Sequence, residues 1–127
     1  MTSVRKTLLV VDDEVEVAKA LRRLLRKEFE VALAHTGAEA LERLSQGPVD
    51  LVLSDFRMPG MSGTELLAEV KLRNPDTVRV LLSGYADLES APARDDTIRF
   101  VRKPWDDAAL ITLLRELTGG ALAEVPR

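Results

Sequence analysis

The chain contains no cysteine, which excludes disulfides, thiolate metal sites and cysteine nucleophiles and agrees with a reducing compartment. Its 127 residues need no staples, because a single domain of that length with 46% hydrophobic residues buries a core of ordinary size. No apolar run is long enough for a signal peptide or a membrane span, and the TLLVV segment near the N-terminus meets acidic residues at once. A cytoplasmic protein without membrane contact is the expectation. An excess of charge of one sign is missing too. Lys and Arg total 18 against 21 Asp and Glu, a formal net charge of −3, so there is no electrostatic footprint for direct nucleic-acid binding. The cluster Arg22, Arg23, Arg26 and Lys27 reads as one solvated helix face. GxGxxG and GKS/T loops are absent, which argues against a nucleotide-binding sheet, and no internal repeat or low-complexity segment is visible.

What is present alternates between strand and helix patterns. Thr7 to Val11 is a first strand, followed by a helix with Asp13 and Glu16 at capping spacing and Val17, Leu21 and Leu24 on one face. Phe29 to Ala34 is a more polar strand, suited to a sheet edge. Thr36 to Glu39 has the form of a capping box for a second helix, with Ala38, Leu41 and Leu44 inward and a stop at Gly47-Pro48. The apolar run Val49, Leu51, Val52, Leu53 has the character of a strand buried on both faces and ends at Asp55. Ser62 to Glu65 is another capping box, and Leu66, Leu67 and Val70 carry its helix to Asn74-Pro75.

Val78 to Leu82 is a fourth strand. Asp87 is placed to cap a helix through Leu88, Glu89 and Ser90, but Pro92 removes a backbone donor inside it, so a shortened or irregular helix is expected there. Thr97 to Arg102 is the fifth strand, and Asp106 opens a last helix with Leu110, Leu113, Leu114 and Leu117 inward. Five β–α units predict a parallel sheet covered by helices on both faces, with right-handed crossovers.

Four strand ends carry chemistry: Asp12 and Asp13, Asp55, Ser83, and Lys103. Ligands of open α/β sheets bind at the carboxyl ends of the strands. Three carboxylates meeting there repel unless a cation intervenes, and Mg²⁺ suits two or three carboxylates beside an open position. Lys103 offers a point charge for phosphate and Ser83 a hydroxyl. Together with the metal they give one partner for each of three phosphoryl oxygens, leaving an oxygen of Asp55 to attack in line.

From LLVVDDE through LVLSDFRMPGMSG and LLSGYAD to FVRKPW, the chain resembles the receiver domains of two-component response regulators over nearly its whole length. The resemblance implies a flavodoxin-like, doubly wound five-stranded sheet in the order 2-1-3-4-5. It implies Asp55 as phosphoacceptor, Asp12 and Asp13 as the Mg²⁺-holding pair, the Arg57 carbonyl as a further metal ligand, and Lys103 as the phosphoryl-binding lysine, followed by a cis bond to Pro104. Ser83 and Phe100 correspond to the family's switch pair. Lacking a tyrosine hydroxyl, Phe100 is expected to favour the inward position more evenly in both states. In the family's pattern Arg57 and Tyr85 flank the phosphate, and the expectation is that they shield it from water and so set its lifetime. The implied partners are a sensor histidine kinase or phosphotransfer protein and an unknown output domain or protein. The domain is expected to assist its own phosphorylation and dephosphorylation, without the turnover on a free substrate that would make it an enzyme.

Residues 1–118 are read as the receiver domain and 119–127 as a tail or linker. The span from Ser83 to Lys103 is short for the family, which puts the usual dimer surface in question. A degenerate receiver serving as a phosphorylation-independent binding module is the alternative, opposed by the intact Asp55, Asp13 and Lys103. A metal-dependent aspartyl phosphatase fits poorly, since that class carries a second aspartate two residues after its nucleophile and Arg57 stands there. His35 and Trp105 are read as structural, and Met58 and Met61 as loop packing.

Overall fold

A computed structural model describes residues 5–84 and 97–119. In chain order the elements are β1 (Lys6–Val11), α1 (Val15–Leu25), β2 (Phe29–Ala34), α2 (Gly37–Ser45), β3 (Leu51–Asp55), α3 (Gly63–Arg73), β4 (Val78–Ser83), β5 (Ile98–Arg102) and α4 (Asp107–Leu117). The strands form one parallel sheet in the order β2-β1-β3-β4-β5. The doubly wound architecture and strand order are those the resemblance implies.

Strand alternation divides the core into two layers. Leu8, Val10, Leu51, Leu53, Val80 and Leu82 pack with Ala18, Leu21 and Leu25 of α1 and Leu110 and Leu114 of α4. On the other face Leu9, Val11, Val52 and Leu81 meet Ala40 and Leu44 of α2 and Leu66, Leu67 and Val70 of α3. Because both faces are covered, all five residues of β3 are buried, while the edge strands β2 and β5 are partly open.

Two helix starts differ from the sequence reading. Asp13 does not cap α1: the N-cap is Glu14, without a side-chain cap bond, and its backbone N–H donates instead to Asp12 Oδ1 at 2.9 Å. At α2 the Thr36 hydroxyl accepts from Glu39 N, but the Glu39 carboxylate reaches one residue further back, to His35 N at 2.7 Å. Ala38 is exposed; the buried positions of α2 are Gly37, Ala40 and Leu44, and Leu41 packs against the same cluster. The other starts are as read. Ser62 and Glu65 close a full capping box, and the Asp106 side chain caps α4. The segment containing Asp87 and Pro92, and the tail beyond Gly119, lie outside the described residues.

Candidate functional site

Four strand ends converge at one edge of the sheet. Asp55 is the last residue of β3 and is 7% exposed; Ser83 is the last of β4 and is 1% exposed. Asp12 directly follows β1, tied to the β2 end by Asp12 N donating to Ala34 O at 3.1 Å. Lys103 directly follows β5, and its backbone N–H donates to Ser83 O at 2.9 Å. The Lys103-Pro104 bond is cis. Each group is therefore fixed by the sheet ladder, and only the side chains reach beyond it.

The loop after β3 is drawn tightly back over the strand end. Phe56 N donates to Leu82 O at 3.0 Å, and Gly63 N, at the head of α3, donates to Phe56 O at 2.8 Å. A Cβ on Gly63 would stand 2.2 Å from Asp55 O and 2.8 Å from Leu81 Cδ1, so only glycine fits where α3 meets the backbone of Asp55. Gly60 turns the loop with φ of 78°, in the left-handed region. Phe56, Arg57, Met58, Pro59 and Ser62 line an open cleft of about 400 Å³ beside the strand end. Arg57 is exposed, its guanidinium 5.9 Å from the centre of the Phe56 ring.

Lys103 Nζ donates to Asp55 Oδ1 at 2.5 Å. Carboxylate oxygens of Asp12, Asp13 and Asp55, one from each, lie within 4.8 Å of one another. The Asp12 carboxyl is pushed up from 3.8 to about 6, chiefly by burial, with the charges of Asp55 and Asp13 adding; the Glu14 N–H and the Lys103 charge act in the opposite direction. Asp12 Oδ2 and Ser83 Oγ are buried without a hydrogen-bond partner. Buried polar atoms are rarely left so, and the two found among the described residues both belong to this one pocket.

Phe100 is 38% exposed on β5, in register with Leu81 and on the sheet face that Ser83 shares by alternation. Tyr85 lies outside the described residues. His35, read from the sequence as structural, reaches the site: its Nδ1 is 3.1 Å from the backbone O of Asp12. The pairing of β1 with β2 is the signal that reveals this contact. Trp105 packs against the α1/α4 layer and donates from Nε1 to Asp107 Oδ1 at 3.1 Å, and Met58 and Met61 pack against the other layer, as read.

Fold and pocket together define a doubly wound α/β domain with an acidic pocket at the carboxyl edge of its sheet. The chain belongs to the response regulator receiver domain family, whose model matches residues 8–115. It is 40% identical over 119 residues to the hydrogenase transcriptional regulatory protein HoxA of Cupriavidus necator, covering 91% of this chain and 25% of HoxA. It is 35% identical over 130 residues to the transcriptional regulatory protein ZraR of Klebsiella oxytoca, covering 99% and 29% of the two chains. The chain thus spans about a quarter of the length of these relatives. Among solved structures, the signal receiver domain of an HD domain-containing protein from Pseudomonas fluorescens superposes with a TM-score of 0.83 at 32% identity, covering 100% of this chain and 96% of that one. A receiver domain from Clostridium thermocellum gives 0.83 at 27%, covering 93% and 98%. No helix among the described residues is long and apolar enough to cross a membrane.

Proposed function

We propose that this receiver domain accepts a phosphoryl group on Asp55 from the phosphohistidine of a sensor histidine kinase or phosphotransfer protein, and that the acyl phosphate changes what an output domain or separate partner binds. The observation that carries the proposal is the pair of unpartnered buried oxygens, Asp12 Oδ2 and Ser83 Oγ, on either side of a carboxylate already paired with Lys103.

The donor set suits Mg²⁺. Three carboxylates offer hard oxygen ligands within 4.8 Å of one another, and the unpartnered Asp12 oxygen gains from a cation what no protein group gives it. Asp12, Asp13 and Asp55 would hold the ion, with the Arg57 backbone carbonyl beside them. Bound there, Mg²⁺ supplies charge neutralisation for the phosphoryl oxygens.

The protein groups divide the remaining work. With Oδ1 engaged by Lys103, Asp55 Oδ2 attacks phosphorus; the P–N bond to the donor imidazole breaks, and its electron pair returns to that ring. Lys103 then shifts from the carboxylate to a phosphoryl oxygen, and the Ser83 hydroxyl donates to another. Movement of Ser83 opens room on the face it shares with Phe100, and the phosphorylated state favours the ring turned inward. Arg57 and Tyr85 shield the phosphate from water. The only covalent chemistry is on the domain's own aspartate, so it acts as a regulator without turnover on a free substrate.

The test is intact mass after incubation with a small acyl-phosphate donor. One Mg²⁺-dependent phosphoryl adduct, absent from Asp55→Asn, is expected. A folded protein that gains no adduct with Mg²⁺ present would instead be a constitutive binding module.

A further inference from the structure

His35 lies at the turn from β2 into α2, outside the set of strand-end groups, yet it is held from two sides. Its backbone N–H donates to Glu39 Oε1 at 2.7 Å, and the Glu39 backbone N–H donates in turn to Thr36 Oγ1 at 3.0 Å, which fixes the head of α2. Its ring Nδ1 stands 3.1 Å from the backbone O of Asp12. A carbonyl oxygen only accepts, so Nδ1 carries the proton and donates. A backbone bond from Asp12 N to Ala34 O completes a clamp between the β2–α2 turn and the β1–α1 turn.

The carbonyl that His35 grips belongs to the peptide joining Asp12 to Asp13. Its orientation therefore sets how both acidic side chains leave the backbone. Asp12 is further fixed by accepting from Glu14 N, whereas Asp13 is exposed and makes no side-chain cap. Without the His35 bond this peptide loses the anchor on its carbonyl side, and two mutually repelling carboxylates shift toward positions that separate them.

We infer that His35 is a positioning residue for the cation pocket: through the Asp12 carbonyl it holds Asp12 and Asp13 in the orientation that binds Mg²⁺. The inference rests on the function proposed above. His35 does not touch the reacting atoms. Its contribution is to metal affinity, and it leaves the rate at saturating metal unchanged. Groups that orient ligands from behind govern metal affinity in this way.

The experiment is a titration of the unphosphorylated full chain with MgCl₂, followed by backbone amide chemical shifts. His35→Phe keeps a ring and removes the donor, and should raise the Mg²⁺ dissociation constant about three- to tenfold, the range expected for one lost hydrogen bond. His35→Asn carries its amide nitrogen at the place of Nδ1 and should return the constant to within about twofold of wild type. With Mg²⁺ saturating, phosphorylation of all three forms by the acyl-phosphate donor should proceed at one rate. Should His35→Phe not fold, His35→Ala serves in its place. His35→Phe binding Mg²⁺ as tightly as wild type overturns the inference alone, as does His35→Asn behaving like His35→Phe. A wild-type chain whose amides do not respond to Mg²⁺ overturns the functional proposal, and this inference with it.

Discussion

Lys103 Nζ reaches Asp55 Oδ1 at 2.5 Å across the whole width of β4, because the two residues end strands on either side of it. The pair is asymmetric: the Asp55 side chain is nearly buried, and that of Lys103 is about one-third open to water. Removing the lysine leaves a buried carboxylate facing Asp12 without its counter-charge. Lys103→Ala should destabilise the metal-free domain by about 1–3 kcal/mol in urea unfolding, and Mg²⁺ should recover part of that loss. An unchanged midpoint in the absence of Mg²⁺ would show that the pair does not hold the two strands together.

Asp12 predicts a pH dependence. Its folded value of about 6 lies above the ordinary 3.8, so between those values the folded state binds the proton more tightly than the unfolded one. Stability from this group is present below 3.8 and is lost as pH rises through about 6. The loss is at most on the order of 3 kcal/mol. Asp12→Asn should therefore match wild type near pH 4 and exceed it at pH 7.5 in metal-free buffer, with Mg²⁺ narrowing the gap. Equal differences at both pH values would refute this.

Ser83 should show opposite signs in two assays. Its hydroxyl is buried and unpartnered, so Ser83→Ala removes a desolvated group at no loss of contact; stability should hold or rise by about 1 kcal/mol. Phosphorylation by the acyl-phosphate donor should slow about ten- to a hundredfold, as for a lost bond to a charged group. Loss of stability without loss of rate would assign the hydroxyl a purely structural part.

Gly63→Ala tests the closeness of α3 to the backbone of Asp55. The new methyl would collide with Asp55 O and Leu81 Cδ1 at 2.2 and 2.8 Å. The expected cost is about 3 kcal/mol in urea unfolding, with slower phosphorylation in whatever fraction stays folded. A fully stable, fully reactive variant would mean that the loop relaxes freely.

The parts legible in the sequence were those set by one strand at a time. Asp55 stands out because an apolar run stops at it, and Lys103 because TIRFVR does the same. The start of α1 was not legible: Asp13 has capping spacing, but the neighbouring Asp12 takes the Glu14 N–H, a contest between adjacent carboxylates that spacing does not decide. In α2 only the first inward position was misplaced: Leu41 and Leu44 face the core as read, but Gly37, against Met61 of the β3–α3 loop, is buried in place of Ala38. Arg79, which reads as the one polar residue of VRVLL, is 3% exposed and donates to Leu67 O at 3.3 Å and to Thr97 Oγ1. A strand covered on both faces has no outward side to give it. His35 shows the same limit, since its partner is visible only once β2 is known to lie beside β1.

The strand order also fixes when the pocket comes into being during synthesis. All three carboxylates are made by residue 55, on or beside strands that are neighbours in the finished sheet, whereas the lysine follows 48 residues later, beyond β4 and β5. A growing chain halted before Lys103 carries three crowded acids and no protein cation among them. The counter-charge that balances these acids therefore comes to the pocket only with the strand that completes the sheet.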